Sequence, residues 1–139
     1  MAQRSTFLTS RKFLSLLLAM VSFGFSFAQT DVTRPAVVSV SPGSWSISIN
    51  AGTTVSATFS EAMNAATING STFELRNALN NALVTATVTY NAATRTATLY
   101  PTTPLFSLLF YAKIKGGTTG VKDMAGNTML NDYSWYFII

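Results

Sequence analysis

Acidic and amide side chains between the apolar runs are the groups in this sequence best suited to chemistry, and that chemistry is calcium binding. Glu61 comes just after an alternating run that ends at Phe59, and Asp123 and Asn127 flank a Met-Ala-Gly segment. Calcium takes about six to eight oxygen ligands from carboxylates, side-chain amides and backbone carbonyls. We therefore identify Glu61, Asp123 and Asn127 as candidate calcium ligands in a protein that otherwise needs no cofactor.

The same residues also have a purely structural interpretation. Asp123 and Asn127 can cap the backbone amides of their own turn, and Glu61 can be satisfied by local amides or by a nearby arginine. Asp31 and Asp132 add two acids in loops or at strand ends, but the spacing is not that of an EF-hand. Calcium binding and turn capping are therefore two open interpretations.

The composition argues against an enzyme. The sequence has no Cys and no His, which excludes Ser-His and Cys-His nucleophile pairs, the usual zinc sites and disulfides. Glycoside hydrolysis by two carboxylates needs a facing acid pair beside a cleft, and the five acids here are scattered along the chain. We predict a non-catalytic protein.

The formal net charge of +4 does not indicate nucleic-acid binding. Arg4, Arg11 and Lys12 supply three of the nine basic residues, and all three lie within the first twelve positions. Six basic residues and five acids are left, so the rest of the chain carries a net charge of +1. Proteins that bind nucleic acids concentrate Lys and Arg on one face, and we predict no such partner.

The first 28 residues have the pattern of a secretory signal peptide. Arg11 and Lys12 precede an apolar run from Phe13 to Phe27, and small residues lead up to Ala28. The run is shorter than the ~20 apolar residues of a bilayer span and is interrupted by Ser and Gly. We expect cleavage after Ala28, no remaining membrane span, and export to the periplasm, cell surface or medium. An uncleaved anchor is the alternative.

The rest of the chain has the alternation of β-strands. Six runs alternate apolar and polar residues with a period of two, as strands with one buried face do. They cover residues 54–59, 72–76, 84–90, 96–100, 110–115 and 133–139. A strand at 35–40 and a short one at 45–49 would bring the total to seven or eight. The pattern predicts an all-β fold, a β-sandwich of two antiparallel sheets, with a lead-in at 29–34 and a domain at 35–139.

The alternation also assigns each side chain to a face. The expected core consists of Val55, Phe59, Phe73, Leu75, Val88, Leu99, Ile114, Trp135 and Phe137. Glu74 and Arg76 fall on the wet face of their strand. Lys113 and Lys115 share a wet face with Tyr111, which is typical of a solvated or edge strand.

Two motifs carry a resemblance to a known family. They are Phe-Ser-Glu-Ala-Met at 59–63 and Lys-Asp-Met-Ala-Gly-Asn at 122–127. With the Asp31–Pro42 opening and the Asp132–Trp135 segment, their order closely resembles the bacterial Ig-like domains of the S-layer (SbsA-type) kind. The resemblance implies an Ig-like β-sandwich and a non-catalytic spacer, stalk or interaction module.

Apolar residues in expected loops and on an expected wet strand face define a candidate partner surface. Phe106, Leu108 and Leu109 are predicted at a loop tip, and Tyr136 and Ile138 on the outer face of the last strand. Exposed apolar patches often mark partner sites. The alternative is that this loop and strand pack on each other or on Trp45.

Trp45 completes the set of candidate partner residues. It follows Pro42-Gly43, and it is expected to plug one end of the sandwich. A platform for stacking a sugar ring is the alternative.

The function expected from these observations is a structural, spacer or adhesive role at the bacterial cell envelope. A protein or another envelope component is the expected partner, and self-association is open. A carbohydrate- or small-ligand-binding module is the rival. Because the sequence stops at Ile139 inside the expected last strand, a fragment of a larger multi-domain surface protein is a further alternative.

Overall fold

Seven β-strands form two antiparallel sheets in the computed structural model, which describes residues 30–106 and 108–139. The predicted signal peptide lies outside the described residues. The strands are β1 (Val37–Ser41), β2 (Val55–Phe59), β3 (Phe73–Asn77), β4 (Ala86–Asn91), β5 (Thr96–Pro101), β6 (Leu109–Ile114) and β7 (Tyr133–Ile138). A single 3₁₀ turn, Ala65–Thr67, interrupts them among the described residues. No helix in the described part of the chain is long and apolar enough to cross a membrane.

The strand order confirms the expected Ig-like sandwich. One sheet has the order β1-β2-β5-β4 and the other β3-β6-β7. This is the four-plus-three arrangement of constant-type Ig domains. Since β6 lies between β3 and β7, the edge-strand interpretation of Lys113 and Lys115 is wrong, and the interpretation as a solvated strand remains.

The core forms where the alternating apolar faces of the two sheets meet. Val55, Ala57 and Phe59 of β2 are at most 1% exposed, and the two residues between them are half-buried. Trp135 of β7 packs against Phe73 of β3, with ring centroids 6.0 Å apart. All of the expected core residues are buried except Val88, which is half-buried because β4 is the outer strand of its sheet.

The segment after β1 crosses from one sheet to the other. The Ser41–Pro42 peptide bond is cis, and residues 45–49 then run beside β7. The Ile138 amide donates to the Ser46 carbonyl at 2.8 Å, and the Ile49 amide donates to the Ile138 carbonyl at 3.2 Å. Only one parallel bridge, between Ser46 and Phe137, forms here, so the short strand expected at 45–49 is not a regular strand. The segment nevertheless covers the edge of β7.

Candidate functional site

Three carboxylates from distant parts of the sequence meet at one end of the sandwich. Asp31 precedes β1, Glu61 follows β2, and Asp123 lies in the turn between β6 and β7. One carboxylate oxygen from each residue lies within 4.8 Å of the others. The fold therefore brings two of the predicted ligands, Glu61 and Asp123, together with Asp31.

Asp123 is almost completely buried, at 1% exposure, and its own turn satisfies it. Its Oδ1 accepts from the Asn127 backbone amide at 2.8 Å, and its Oδ2 accepts from Asn127 Nδ2 at 2.8 Å. Burial by itself raises the pKa of this carboxyl, but the hydrogen bonds from Asn127 and the neighbouring amides outweigh burial and lower it. Asp123 is thus held as the anion.

Asn127 joins the turn to the start of the domain. Its Nδ2 also donates to the backbone carbonyl of Asp31 at 3.0 Å. The side chain therefore ties Asp31 to Asp123. The capping of a turn amide that the sequence left open is done by Asp123, whose Oδ1 accepts from the Asn127 amide, whereas the Asn127 side chain acts as a donor.

Glu61 has the opposite environment. Its Oε1 is buried and accepts no hydrogen bond within the described residues. Burial raises its pKa first, Asp123 and Asp31 raise it further by charge repulsion, and Arg95 lowers it less. An uncompensated carboxylate oxygen facing two acids is an environment that a cation would relieve.

The donor set determines which cation fits. All three side chains offer hard carboxylate oxygens, and the sequence has no Cys or His. Such ligands suit calcium or magnesium and not the transition metals that prefer nitrogen or sulfur. Three carboxylates supply only part of calcium's ~6–8 ligands, so backbone carbonyls or water would complete the shell.

A second group of candidate residues forms an aromatic strip, which we define as Trp45, Tyr136 and Tyr111. The Trp45 and Tyr136 rings are nearly parallel, with centroids 5.1 Å apart and planes 10° apart. The Tyr136 and Tyr111 centroids are 5.5 Å apart, and the two residues pair across β7 and β6. Trp45 remains 66% exposed, so the expectation that it plugs an end of the sandwich is wrong.

The remaining partner-surface residues divide between two places. Leu109 and Ile138 pair across β6 and β7, on the face that carries the aromatic strip. Phe106 and Leu108 instead line a cleft of about 330 Å³ between the segment before β4 and the segment before β6. Phe106 is 78% exposed there, whereas Leu108 packs partly against the core.

Beside the strip lies an ion-pair network centred on Glu74. Its side chain is only 7% exposed and lies 2.8 Å from Arg76 Nε and 2.6 Å from Lys115 Nζ. Burial raises the pKa of Glu74, but the hydrogen bonds from Lys115 and Arg76 outweigh burial and lower it. Alternation predicted that Glu74 lies on the solvent-facing side of its strand. Glu74 does lie on that side, but the long side chains of Arg76 and Lys115 cover it.

Comparison with known proteins gives one family match and several structural matches. The profile described as "Bacterial Ig-like domain" matches residues 31–138. Among curated proteins, the comparison finds no match to this sequence.

The solved structures that match share the fold. Domains 1–6 of the surface layer protein SbsC align with a TM-score of 0.58 and 20% identity, over 78% of this chain and 14% of that one. CopC from Methylosinus trichosporium OB3b aligns with a TM-score of 0.61 and 16% identity, over 76% and 92%. PcoC, a methionine-rich copper resistance protein from Escherichia coli, aligns with a TM-score of 0.62 and 14% identity, over 76% and 98%. This chain thus spans only a small part of the SbsC structure but nearly the whole length of CopC and PcoC.

Proposed function

Since the chain belongs to the family of bacterial Ig-like domains, we propose that it is a non-catalytic, exported module with a structural, spacer or adhesive role at the bacterial cell envelope. The observation that carries the proposal is that the region matched by the family, residues 31–138, contains one β-sandwich with all seven strands, from β1 to the end of β7. The fold shared with an S-layer protein is consistent with an envelope location.

The mechanism is rigidity combined with surface contact. The two sheets pack through large buried side chains, so the faces and end loops keep fixed positions. A rigid module of this kind holds its exposed residues at a fixed distance from the domain or envelope component to which it is attached. The aromatic strip and the carboxylate cluster are the two features that such a scaffold would present.

The location and size of the protein in its own cell test this role. We expect intact mass spectrometry of cell fractions to find the chain in the periplasm, envelope or medium, with the first 28 residues removed. An uncut species in the membrane would indicate an anchored domain, and a much larger species would indicate one segment of a multi-domain surface protein. Confinement of the uncut chain to the cytosol would contradict the proposal.

A second candidate function is calcium binding by Asp31, Glu61 and Asp123. The observation that favours it is the buried Glu61 oxygen, which accepts no hydrogen bond from residues 30–106 or 108–139. A ligand that binds only the folded state at about 100 times its Kd adds about 2.7 kcal/mol to the free energy of unfolding. We expect the melting temperature to rise in excess calcium relative to chelator.

Two variants make the calcium test specific. Glu61→Gln removes one carboxylate of the cluster and should abolish the rise in melting temperature. Asp132→Asn removes an acid that pairs with Lys113 outside the cluster, so it should leave the rise unchanged. Equal melting of the wild-type protein in calcium and in chelator would refute calcium binding without affecting the envelope role.

A further inference from the structure

We propose that the outer face of the β3-β6-β7 sheet binds an acidic polysaccharide, with Trp45 as the platform on which a sugar ring stacks. This inference goes beyond the envelope role, and it does not depend on calcium. It rests on three features of the face: an exposed and firmly held indole, a row of rings that supports it, and an excess of basic groups.

The position of Trp45 is set by the backbone. Its amide donates to the Tyr136 carbonyl at 2.6 Å, and its φ of 63° lies in the left-handed region that residues other than Gly rarely adopt. Tyr136 covers one side of the indole, yet 66% of the Trp45 residue remains exposed. A large aromatic side chain held in place without being buried adds little to stability, but it presents a rigid apolar surface to a ligand.

The aromatic strip crosses the sheet from Trp45, beside β7, towards β3. Tyr111 pairs with Tyr136 on one side and with Arg76 on the other, so the row runs from Trp45 to Arg76. The Tyr111 hydroxyl is hydrogen-bonded to Asn81, and Arg76 donates to the Asn81 carbonyl at 3.0 Å. Hydrogen-bonding groups therefore border the contiguous rings at the Arg76 end of the row, an arrangement that suits a pyranose with its C–H face and its rim of hydroxyls.

The charge of this face selects an acidic sugar. Arg76, Lys113 and Lys115 face only two acids, Glu74 and Asp132. Arg76 and Lys115 bring two positive charges to the single negative charge of Glu74 and hold it at 2.8 and 2.6 Å, so the excess positive charge lies there. Lys113 lies 3.7 Å from an Asp132 side chain that is half exposed, which is the longest of these three ion pairs. The Lys113 ammonium is thus the cation most available to a carboxylate on the ligand.

Other ligand classes fit less well. A nucleic acid would require a set of cations that tracks several phosphates, and this face has a net excess of one positive charge. A protein partner usually buries an apolar centre that is depleted in charged residues, whereas the row of rings here ends at Arg76 and lies beside the ion pairs of Lys113 and Lys115.

Affinity electrophoresis in native gels containing polygalacturonate, in calcium-free buffer, tests the proposal. We expect the wild-type protein to be retarded, with an apparent Kd at least about tenfold lower than that of Trp45→Ala. Lys113→Gln should also weaken retardation, and neutral dextran should not retard the protein. Tyr100→Ala is the matched control, because Tyr100 is an exposed aromatic residue on β5 of the other sheet.

Two readouts separate the site from indirect effects. Trp45→Ala leaves the net charge unchanged, so nonspecific attraction to the polyanion predicts equal retardation of variant and wild type. In the wild-type protein, Trp135 is 1% exposed, so protection of the fluorescence from acrylamide quenching reports mainly on Trp45.

The proposal is overturned if polygalacturonate fails to retard the protein, or if Trp45→Ala behaves like the wild type. Equal retardation by dextran would overturn the preference for an acidic sugar. A dimer that depends on Trp45, with no response to polysaccharide, would identify the strip as a self-association surface and would also overturn the proposal. None of these outcomes alters the cell fraction or mass that tests the envelope role.

Discussion

Glu61 and Asp123 each place a carboxylate oxygen within 4.8 Å of the other, yet their pKa values move in opposite directions. Both carboxyls are desolvated, which favours the protonated form. The hydrogen bonds of the 123–127 turn reverse this effect for Asp123, and Glu61 has no comparable set of donors in the part of the chain that the structure describes. The same end of the domain therefore holds one carboxylate that its turn stabilises and one that burial and repulsion destabilise.

Glu61→Gln should change how stability depends on pH. Because its pKa is raised in the folded state, Glu61 favours folding below the unfolded pKa of about 4.5, and this contribution is lost as pH rises through the folded pKa. In chelator, the wild-type protein should lose stability relative to Glu61→Gln as the pH rises above the unfolded pKa of about 4.5. Urea unfolding across this range measures the difference, and a constant gap between the two proteins would contradict the prediction.

Glu74→Gln should show the opposite pH dependence. The Glu74 pKa is lowered, so its contribution to stability is present above the unfolded pKa and is lost as pH falls through the folded pKa. At neutral pH we expect the variant to lose about 1.5–3 kcal/mol, as for a hydrogen bond to a charged group. Asp132→Asn, which removes an exposed partner of Lys113, should cost less than about 1 kcal/mol. Equal losses for the two variants would show that the ion pairs of Glu74 do not stabilise the fold.

Trp135→Ala should cost about 3–5 kcal/mol in denaturant unfolding. Trp135 is 1% exposed and packs against Phe73, so the substitution leaves a cavity between the sheets. Trp45→Ala is the matched control, and it should cost less than about 1 kcal/mol because Trp45 is mostly exposed. A loss below about 1 kcal/mol for Trp135→Ala would contradict the inward face of β7.

Gly120→Ala should prevent stable folding, because a Cβ at this position would lie 2.3 Å from the Lys115 carbonyl oxygen. The atoms it would meet are backbone atoms of Lys115 and Gly116, which cannot move aside without disrupting the exit from β6. Gly70→Ala adds the same methyl group where nothing lies within 4 Å, so it should change stability by only about 0.5 kcal/mol. Circular dichroism melts of the two variants make the comparison, and similar melting temperatures would contradict it.

Period-two alternation predicted the strands well because it depends on neighbouring residues in one segment. The same rule put Glu74 on the correct face but did not predict its burial, because the lysine and arginine side chains around it cover it. It also left an edge strand open beside a solvated one for Lys113 and Lys115, whereas β6 is central in its sheet. Which strands pair with each other is determined by packing between distant segments of the chain. The spacing of charges within one strand therefore does not predict whether that strand lies at the edge or in the centre of a sheet.

The amino-acid sequence by itself determined the all-β sandwich, most of its core and the turn from Asp123 to Asn127, since each depends on local alternation or on hydrogen bonds within a few residues. Only the tertiary structure decided that Asp31 joins Glu61 and Asp123, and that Trp45 lies exposed on Tyr136 instead of plugging an end. These arrangements arise where the chain crosses between sheets and where loops from separate strands converge. Which segments meet there is determined by how the two sheets pair and pack, because that packing brings residues far apart in the chain to one place.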